Sequence, residues 1–509
     1  MLVLVEITVL YVSNFGGPII FKTVDVKYIT MRRNVLLLAF FVILCTMIFC
    51  SGVVSAEHQY DNGNLTREEV DSVYNRTVDR TEMLTNYSYQ ERPSYTLVTR
   101  KEFRNSSRKD DLISTTEETR LVWNEALFIT TDGKNYSEAA SVVLSETVGG
   151  YYLSSSGEMV IIVERDETGY TINTITIAHE LVHAQQDERY SLDNQSTDKT
   201  YDGQMAYRTI VEGEAVRAES QYIRKCFKKE WDCLQQPSPN INNSGFNDGI
   251  LKYQLFPYIY GYSYTENRNT TYQLRNPPNE TRQITRNTSE EVAASPKNFE
   301  RPNTWLYTSD GPNVNRMGSA LISSHIYYHS QKTEGFPIKT SSSTVQNPPP
   351  ARQPSSYTHE LSNDYMYDEF VPLKKQGEDT YGFIWTIQWD DKQSVRNYTR
   401  AYETIITKSG GEKTEINGKR FYRINETSGP SYYHVGFTDD NKTVILFSES
   451  KESIIDLEAR TDNNQLTTVK RNIEEINLLK YIFVSILALF LLLVVAGDVI
   501  GQKILDRLQ

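Results

Sequence analysis

Cysteine and histidine are both scarce in this chain: four and seven respectively in 509 residues. Two of the cysteines, Cys45 and Cys50, lie in one apolar run near the N-terminus, so Cys226 and Cys233 are the only thiols beyond it. No second Cys or His pair stands near them at finger spacing, which argues against a zinc finger and leaves a short local disulfide as the expectation. Basic residues are in the minority, 53 Lys and Arg against 65 Asp and Glu, and they form no patch suited to nucleic acid. No G-x-S-x-G elbow occurs, so a serine hydrolase of that design has no support. No internal repeat is evident either.

The ends of the chain say where it works. Met31-Arg32-Arg33-Asn34 opens a basic segment, an apolar run follows from Val35 to Cys50, and Val54-Ser55-Ala56 supplies the small residues that a signal peptidase reads. This is the pattern of a secretory signal, with Met31 as the expected start. A retained anchor with lipid on Cys50 is the alternative. Leu478 to Gly497 is apolar apart from Lys480 and a few small residues, and about 20 such residues span a bilayer. Glu474 and Glu475 precede it, while Lys503 and Arg507 follow, so the positive-inside bias leaves the short tail in the cytoplasm. The expectation is a single-pass type I cell-surface protein that meets the lipid bilayer through its C-terminal helix. Thirteen N-x-[ST] sequons, from Asn64 to Asn441, fall between the two apolar segments and invite N-linked glycans.

The expected fold class is α+β. Residues 1–56 form the upstream extension and signal, and 57–145 a polar N-terminal region. Residues 146–360 form a core domain and 361–455 a small α+β domain. A stalk (456–477), the transmembrane helix (478–497) and a tail (498–509) complete the chain. Met159 to Glu164 reads as a strand and Met205 to Cys226 as a helix. The Tyr-, Asn- and Pro-rich stretch from Pro237 to Thr304 reads as long loops, and Gly318 to Tyr328 as a further helix.

The chemistry centres on Thr176 to Asp187. His179 and His183 are four apart, so on a helix they share one face and can reach one tetrahedral zinc ion. Glu180 follows the first histidine, where its carboxylate can take a proton from a water at the metal. This H-E-x-x-H pattern has the mechanical meaning of a zinc hydrolase helix. Ile175, Ile177, Ala178, Leu181 and Val182 make the helix apolar, and two histidines and a glutamate buried among them need a partner. A third ligand is required. No histidine follows within a hundred residues of His183, so the helix carrying Glu212 and Glu214 is the natural donor. Those two point about 200° apart, so only one can face the metal.

The blocks His179-Glu180-Leu181-Val182-His183-Ala184-Gln185-Gln186-Asp187 and Val211-Glu212-Gly213-Glu214-Ala215 resemble gluzincin-like metallopeptidases. More closely, they are similar to an uncharacterised group of archaeal and bacterial surface proteins carrying H-E-L-T-H-A-L-Q-D-Q and V-E-G-D-A. The resemblance implies a zincin-like core holding Zn²⁺ through His179, His183 and Glu212, with Glu180 as general base. It extends faintly to Gly318–His359, although the Pro-rich spacing before His359 is shifted here. His325, His359 or one of the 34 tyrosines is the candidate to stabilise the transition state, and Asp187 could hold the second ring nitrogen of His183. The expected activity is that of an extracellular metallopeptidase acting on peptides or proteins. The alternative is a non-catalytic, glycosylated surface or envelope protein that retains the fold.

Overall fold

The computed structural model describes residues 62–106, 113, 115–130, 135–192, 198–234, 245–266, 268, 270–286, 303–308, 313–338, 360–427 and 429–461. The signal segment, His359 and the apolar stretch 478–497 lie outside the described residues. Among those described, no helix is long and apolar enough to cross a membrane.

The fold is mixed α+β, with two sheets. The first half opens with α1 (Arg67–Thr85) and β1 (Ser94–Thr99), so the polar N-terminal region supplies regular structure. A helical turn at Glu117–Arg120 runs into a π-helix, Leu121–Ala126, and α2 (Tyr136–Thr147) follows. Next come β2 (Gly150–Leu153), β3 (Glu158–Arg165) and the two-residue β4 (Tyr170–Thr171). β3 is the central strand: β1 runs parallel on one side, and β2 and β4 pair antiparallel with it. Met159 to Val163 is buried on both faces, which is why it reads as a continuous apolar run.

Two long helices follow, α3 (Thr174–Tyr190) and α4 (Tyr201–Phe227). Asn173 caps α3 by accepting from the Ile175 and Thr176 amides at 3.0 and 3.4 Å. Ile177 and Leu181, four apart, pack α3 onto Met159, Ile161 and Val163 of β3. Val182 meets Ala215 and Ala218 of α4, while Ile175 and Ala178 meet Tyr222 further along, so the two helices run antiparallel. Cys226, in the last turn of α4, forms the expected disulfide with Cys233 just beyond it.

A third helix, α5 (Asp248–Thr265), stands where the sequence suggested loops. Its Pro257, its glycines and its many tyrosines read as loop composition. In the fold they line a helix buried on nearly all sides, which has no polar stripe to reveal a period. The contact with α4 depends on two glycines. A Cβ on Gly213 would stand 2.4 Å from the Gly261 carbonyl oxygen, and one on Gly261 would stand 2.4 Å from the Thr209 carbonyl oxygen. Only backbone fits at this crossing.

The second sheet has β5 (Trp305–Tyr307), β6 (Tyr365–Lys375), β7 (Tyr381–Trp389), β8 (Glu412–Ile416), β9 (Lys419–Glu426), β10 (Gly429–Phe437) and β11 (Lys442–Ser448). Their order is β5-β6-β7-β11-β10-β9-β8, with every pairing antiparallel. Alternate residues serve two cores. Val371, Leu373, Ile384, Val444 and Leu446 face α8 (Lys451–Thr461), whose Leu457 is fully buried where a stalk was expected. Phe370, Phe383, Trp385, Ile445 and Phe447 face α7 (Lys392–Lys408) and α6 (Gly318–Lys332), together with Trp123 and Leu127 of the first half. The π-helix is tied to this face: Tyr402 donates to the Ala126 carbonyl at 2.8 Å and Tyr433 to the Glu125 carboxylate at 3.0 Å.

Candidate metal centre

The antiparallel pairing of α3 and α4 lays Glu212 across the histidine pair. His179, His183 and Glu212 present ligand atoms that all lie within 4.8 Å of one another, and no other such group occurs among the described residues. Glu212 Oε2 is 3.0 Å from His179 Nε2 and 3.4 Å from His183 Nε2. The imidazoles are 4.9 Å apart and nearly perpendicular, so their Nε2 atoms converge on that one carboxylate. Glu214 is turned away, as the helical geometry requires.

The outer ring nitrogens are held as well. His179 Nδ1 lies 3.1 Å from Glu219 Oε2, two turns along α4 from Glu212. His183 Nδ1 lies 2.8 Å from Gln186 Oε1, whose amide donates to Glu214 Oε2 at 3.0 Å and to the Val211 carbonyl at 2.9 Å. With each Nδ1 hydrogen-bonded to an oxygen acceptor, both Nε2 lone pairs are directed at the centre. Asp187 does not take the expected part. Its carboxylate accepts from the Tyr152 hydroxyl at 3.0 Å and from the Leu192 amide at 2.9 Å, because it projects from α3 toward β2 rather than toward α4.

Electrostatics favour a cation here. Burial pushes both imidazoles toward the neutral form, but the Glu212 carboxylate, joined by Glu219 at His179, outweighs it and raises both. Burial alone would raise Glu212, yet the two histidines hold it well below the usual carboxylate range. Two imidazoles and an anionic carboxylate converging in a buried pocket are the donor set of a His₂Glu zinc site. The residues fit the metal their motif implies.

Glu180 sits beside this group and is 7% exposed. Burial raises it above its ordinary value, while His183, His179 and a backbone hydrogen bond at Tyr152 act against the rise. Tyr152 belongs to β2, which among the described residues pairs on one side only, with β3. A Cβ on Gly150 of that strand would lie 3.3 Å from Glu180 Cγ, so the edge strand passes directly over this side chain. β3, the strand read from the sequence, is interior, and β2 is the one beside the centre.

Two residues at the centre were not singled out in the sequence. Tyr258 of α5 donates to Glu212 Oε1 at 3.3 Å, and its ring lies 5.8 Å from that of His179. Arg208, one turn before Glu212, is 3.6 Å from the same oxygen and keeps 46% of its side chain exposed. The Gly213–Gly261 crossing brings Tyr258, one turn from Gly261, against Glu212. The signal for it was the glycine after Glu212, read together with a second glycine in an aromatic run.

His325 is elsewhere. It is fully buried, its Nδ1 is 3.0 Å from the Leu127 carbonyl, and its ring packs near Trp385, Tyr398 and Tyr402. It faces the core joining the two halves, and its helix position placed it inward for packing.

Residues 306–458 match a family described as Domain of unknown function (DUF8575). The match takes in the second sheet and α6, and it stops short of His179, Glu180, His183 and Glu212. No curated protein matches the chain, and no solved structure does.

Proposed function

We propose that this protein is a membrane-anchored, extracellular zinc metallopeptidase with a zincin-like core. The observation that carries the reading is Glu180. A purely structural site needs its ligands alone, whereas here a buried carboxylate lies next to them under an open sheet edge. His179, His183 and Glu212 would hold the ion, with Glu219 and Gln186 orienting the imidazoles. When bound, zinc supplies a Lewis acid that polarises a carbonyl and makes water acidic near neutrality. Glu180 then takes the proton of the attacking water and returns it to the departing amine. The solvent-reaching Arg208, and Tyr258 once its hydroxyl turns from Glu212, would provide donors for the negative charge that develops on the attacked oxygen. The side of β2 away from β3, where no strand lies among the described residues, suits an extended peptide, which would add to it as a strand.

The test is zinc content per chain together with cleavage of a broad peptide pool, for the wild type, Glu180→Gln and His183→Ala. The reading expects stoichiometric zinc in the wild type and in Glu180→Gln, cleavage only in the wild type, and neither in His183→Ala. Zinc without cleavage would favour the non-catalytic surface protein, and a folded wild type without zinc would remove the metal from the account.

A further inference from the structure

The end of α4 away from the N-terminal cap carries a different kind of surface. Phe227 is 88% exposed, the highest value among the large apolar side chains that stay exposed in the described residues. Ile223, one turn earlier on the same face, is 40% exposed. Cations surround them: Arg224, Lys225, Lys228 and Lys229 stand against the single carboxylate of Glu230 in a seven-residue stretch, in a chain whose formal net charge is −12. Glu230 pairs with Lys225 and lies 4.0 Å from Lys228, while Asp232 is turned to Arg76 at 3.7 Å. Arg224 and Lys229 add positive charge that no carboxylate offsets within 4.0 Å among the described residues.

This tip is rigid. The Cys226–Cys233 disulfide closes it, and Trp231 stacks edge-on against the buried Tyr222 at 4.8 Å with the Arg80 guanidinium 4.9 Å over its ring. Phe227 is therefore held outward by a braced turn, where its exposure costs hydration free energy with no return from folding. An apolar side chain ringed by lysines is complementary to a layer that is anionic at its surface and apolar beneath. Lysine stems lie along such a boundary with their ammonium groups at the headgroups, and the aromatic ring enters below them.

We infer that the Ile223–Lys229 tip docks on an anionic lipid bilayer surface, with Phe227 inserted and Arg224, Lys228 and Lys229 on the headgroups. This contact is separate from any membrane-spanning segment and does not depend on the metal centre.

The experiment uses full-length Phe227→Trp reconstituted in phosphatidylcholine vesicles with brominated acyl chains, with and without phosphatidylglycerol. The readout is the additional tryptophan emission relative to wild type. Quenching and a blue shift are expected in the anionic vesicles and not in the zwitterionic ones. Each cation near an anionic surface is worth roughly fivefold in occupancy, so Lys228→Gln/Lys229→Asn in the same background should lower the docked-to-free ratio about thirtyfold. Asparagine suits position 229 because the backbone there is left-handed, at φ 57°. Both positions are exposed, so an unchanged far-ultraviolet spectrum verifies the fold. Absence of quenching, equal quenching in both vesicle types, or quenching indifferent to the double substitution would each overturn the inference. Protection of the reporter by polyglutamate alone would do so too, pointing to an acidic protein partner.

Discussion

The chain holds two histidine pairs of almost identical construction and opposite character. His179/His183 and His325/His329 are each four residues apart on a helix, and their rings are 4.9 and 4.8 Å apart, crossed at 80° and 66°. The first pair faces the carboxylates of Glu212 and Glu219, which raise it. The second shares one neutral acceptor, the Leu127 carbonyl, at 3.0 and 2.8 Å, among Trp385, Tyr398 and Tyr402. Burial lowers both members, and His325 Nε2 has no hydrogen-bond partner. Spacing alone therefore does not make a metal site. The neighbouring helix decides: one pair is given an anion, and the other is given a peptide dipole.

The comparison can be broken most severely at Glu212. Glu212→Gln removes the charge that distinguishes the first pair, so bound zinc should fall from one per chain to background by elemental analysis. His325→Gln/His329→Gln should leave zinc content unchanged. Retention of zinc in Glu212→Gln would show that the imidazoles suffice.

The second pair should be seen in the acid stability of the protein. His329 is lowered from its ordinary 6.5 to about 4, so on acidification the unfolded chain takes up the proton before the folded one does. Stability should fall as pH drops from 6.5 through 4 and flatten below, by about 3 kcal/mol for this group. Denaturant titrations across that window measure the slope, which His329→Gln should reduce. An unchanged slope in the variant would place the acid sensitivity elsewhere.

Gly213→Ala tests the crossing that delivers Tyr258. A methyl group 2.4 Å from the Gly261 carbonyl oxygen forces the helices apart, and overpacking of this kind costs about 1–3 kcal/mol. A lowered denaturation midpoint with reduced cleavage at intact zinc content is expected. The smallest effects distinguish two neighbours on α3. Gln186→Leu should weaken zinc binding by roughly 10- to 100-fold, since it frees the outer nitrogen of His183. Asp187→Asn should not, because its partners are Tyr152 and Leu192. Competition with a zinc chelator separates the two, and equal losses would contradict the assignment.

What could be read from the sequence follows a physical line. The elements with an apolar period or a buried run were legible: β3, α3, α4, α6 and the local disulfide. The shared face of His179 and His183 was legible from helix geometry, which left Glu212 and Glu214 open as their partner, and the resemblance of the second block chose Glu212. What failed were elements and roles set by tertiary packing. α5 is apolar on most of its circumference and contains a proline, so neither period nor composition marked it. With α5 hidden, Tyr258 was not singled out among the tyrosines. Gln186 rather than Asp187 holds His183 because α4 lies on that side of α3, a fact no local pattern carries. Some sequons have a comparable ambiguity. Thr281 donates to Asp202 at 2.6 Å, and Thr399 and Thr443 bond to each other at 3.1 Å, so these hydroxyls have a place in the fold whether or not Asn279, Asn397 and Asn441 carry sugar.

The π-helix has a bearing on how this molecule can be divided. Its last turn gives Glu125, Ala126 and Leu127 to groups on β10, α7 and α6, all of them inside the family-matched stretch. A recombinant piece cut at 306 would keep Tyr402, Tyr433 and both histidines but lose everything they bond to on the π-helix, and the aromatic side of its sheet would meet water. The boundary recognised by sequence similarity runs through a shared interior. Swapping or excising that stretch would remove the structural seam on which the half carrying His179, His183 and Glu212 rests, so the smallest transferable unit extends back at least to Leu121.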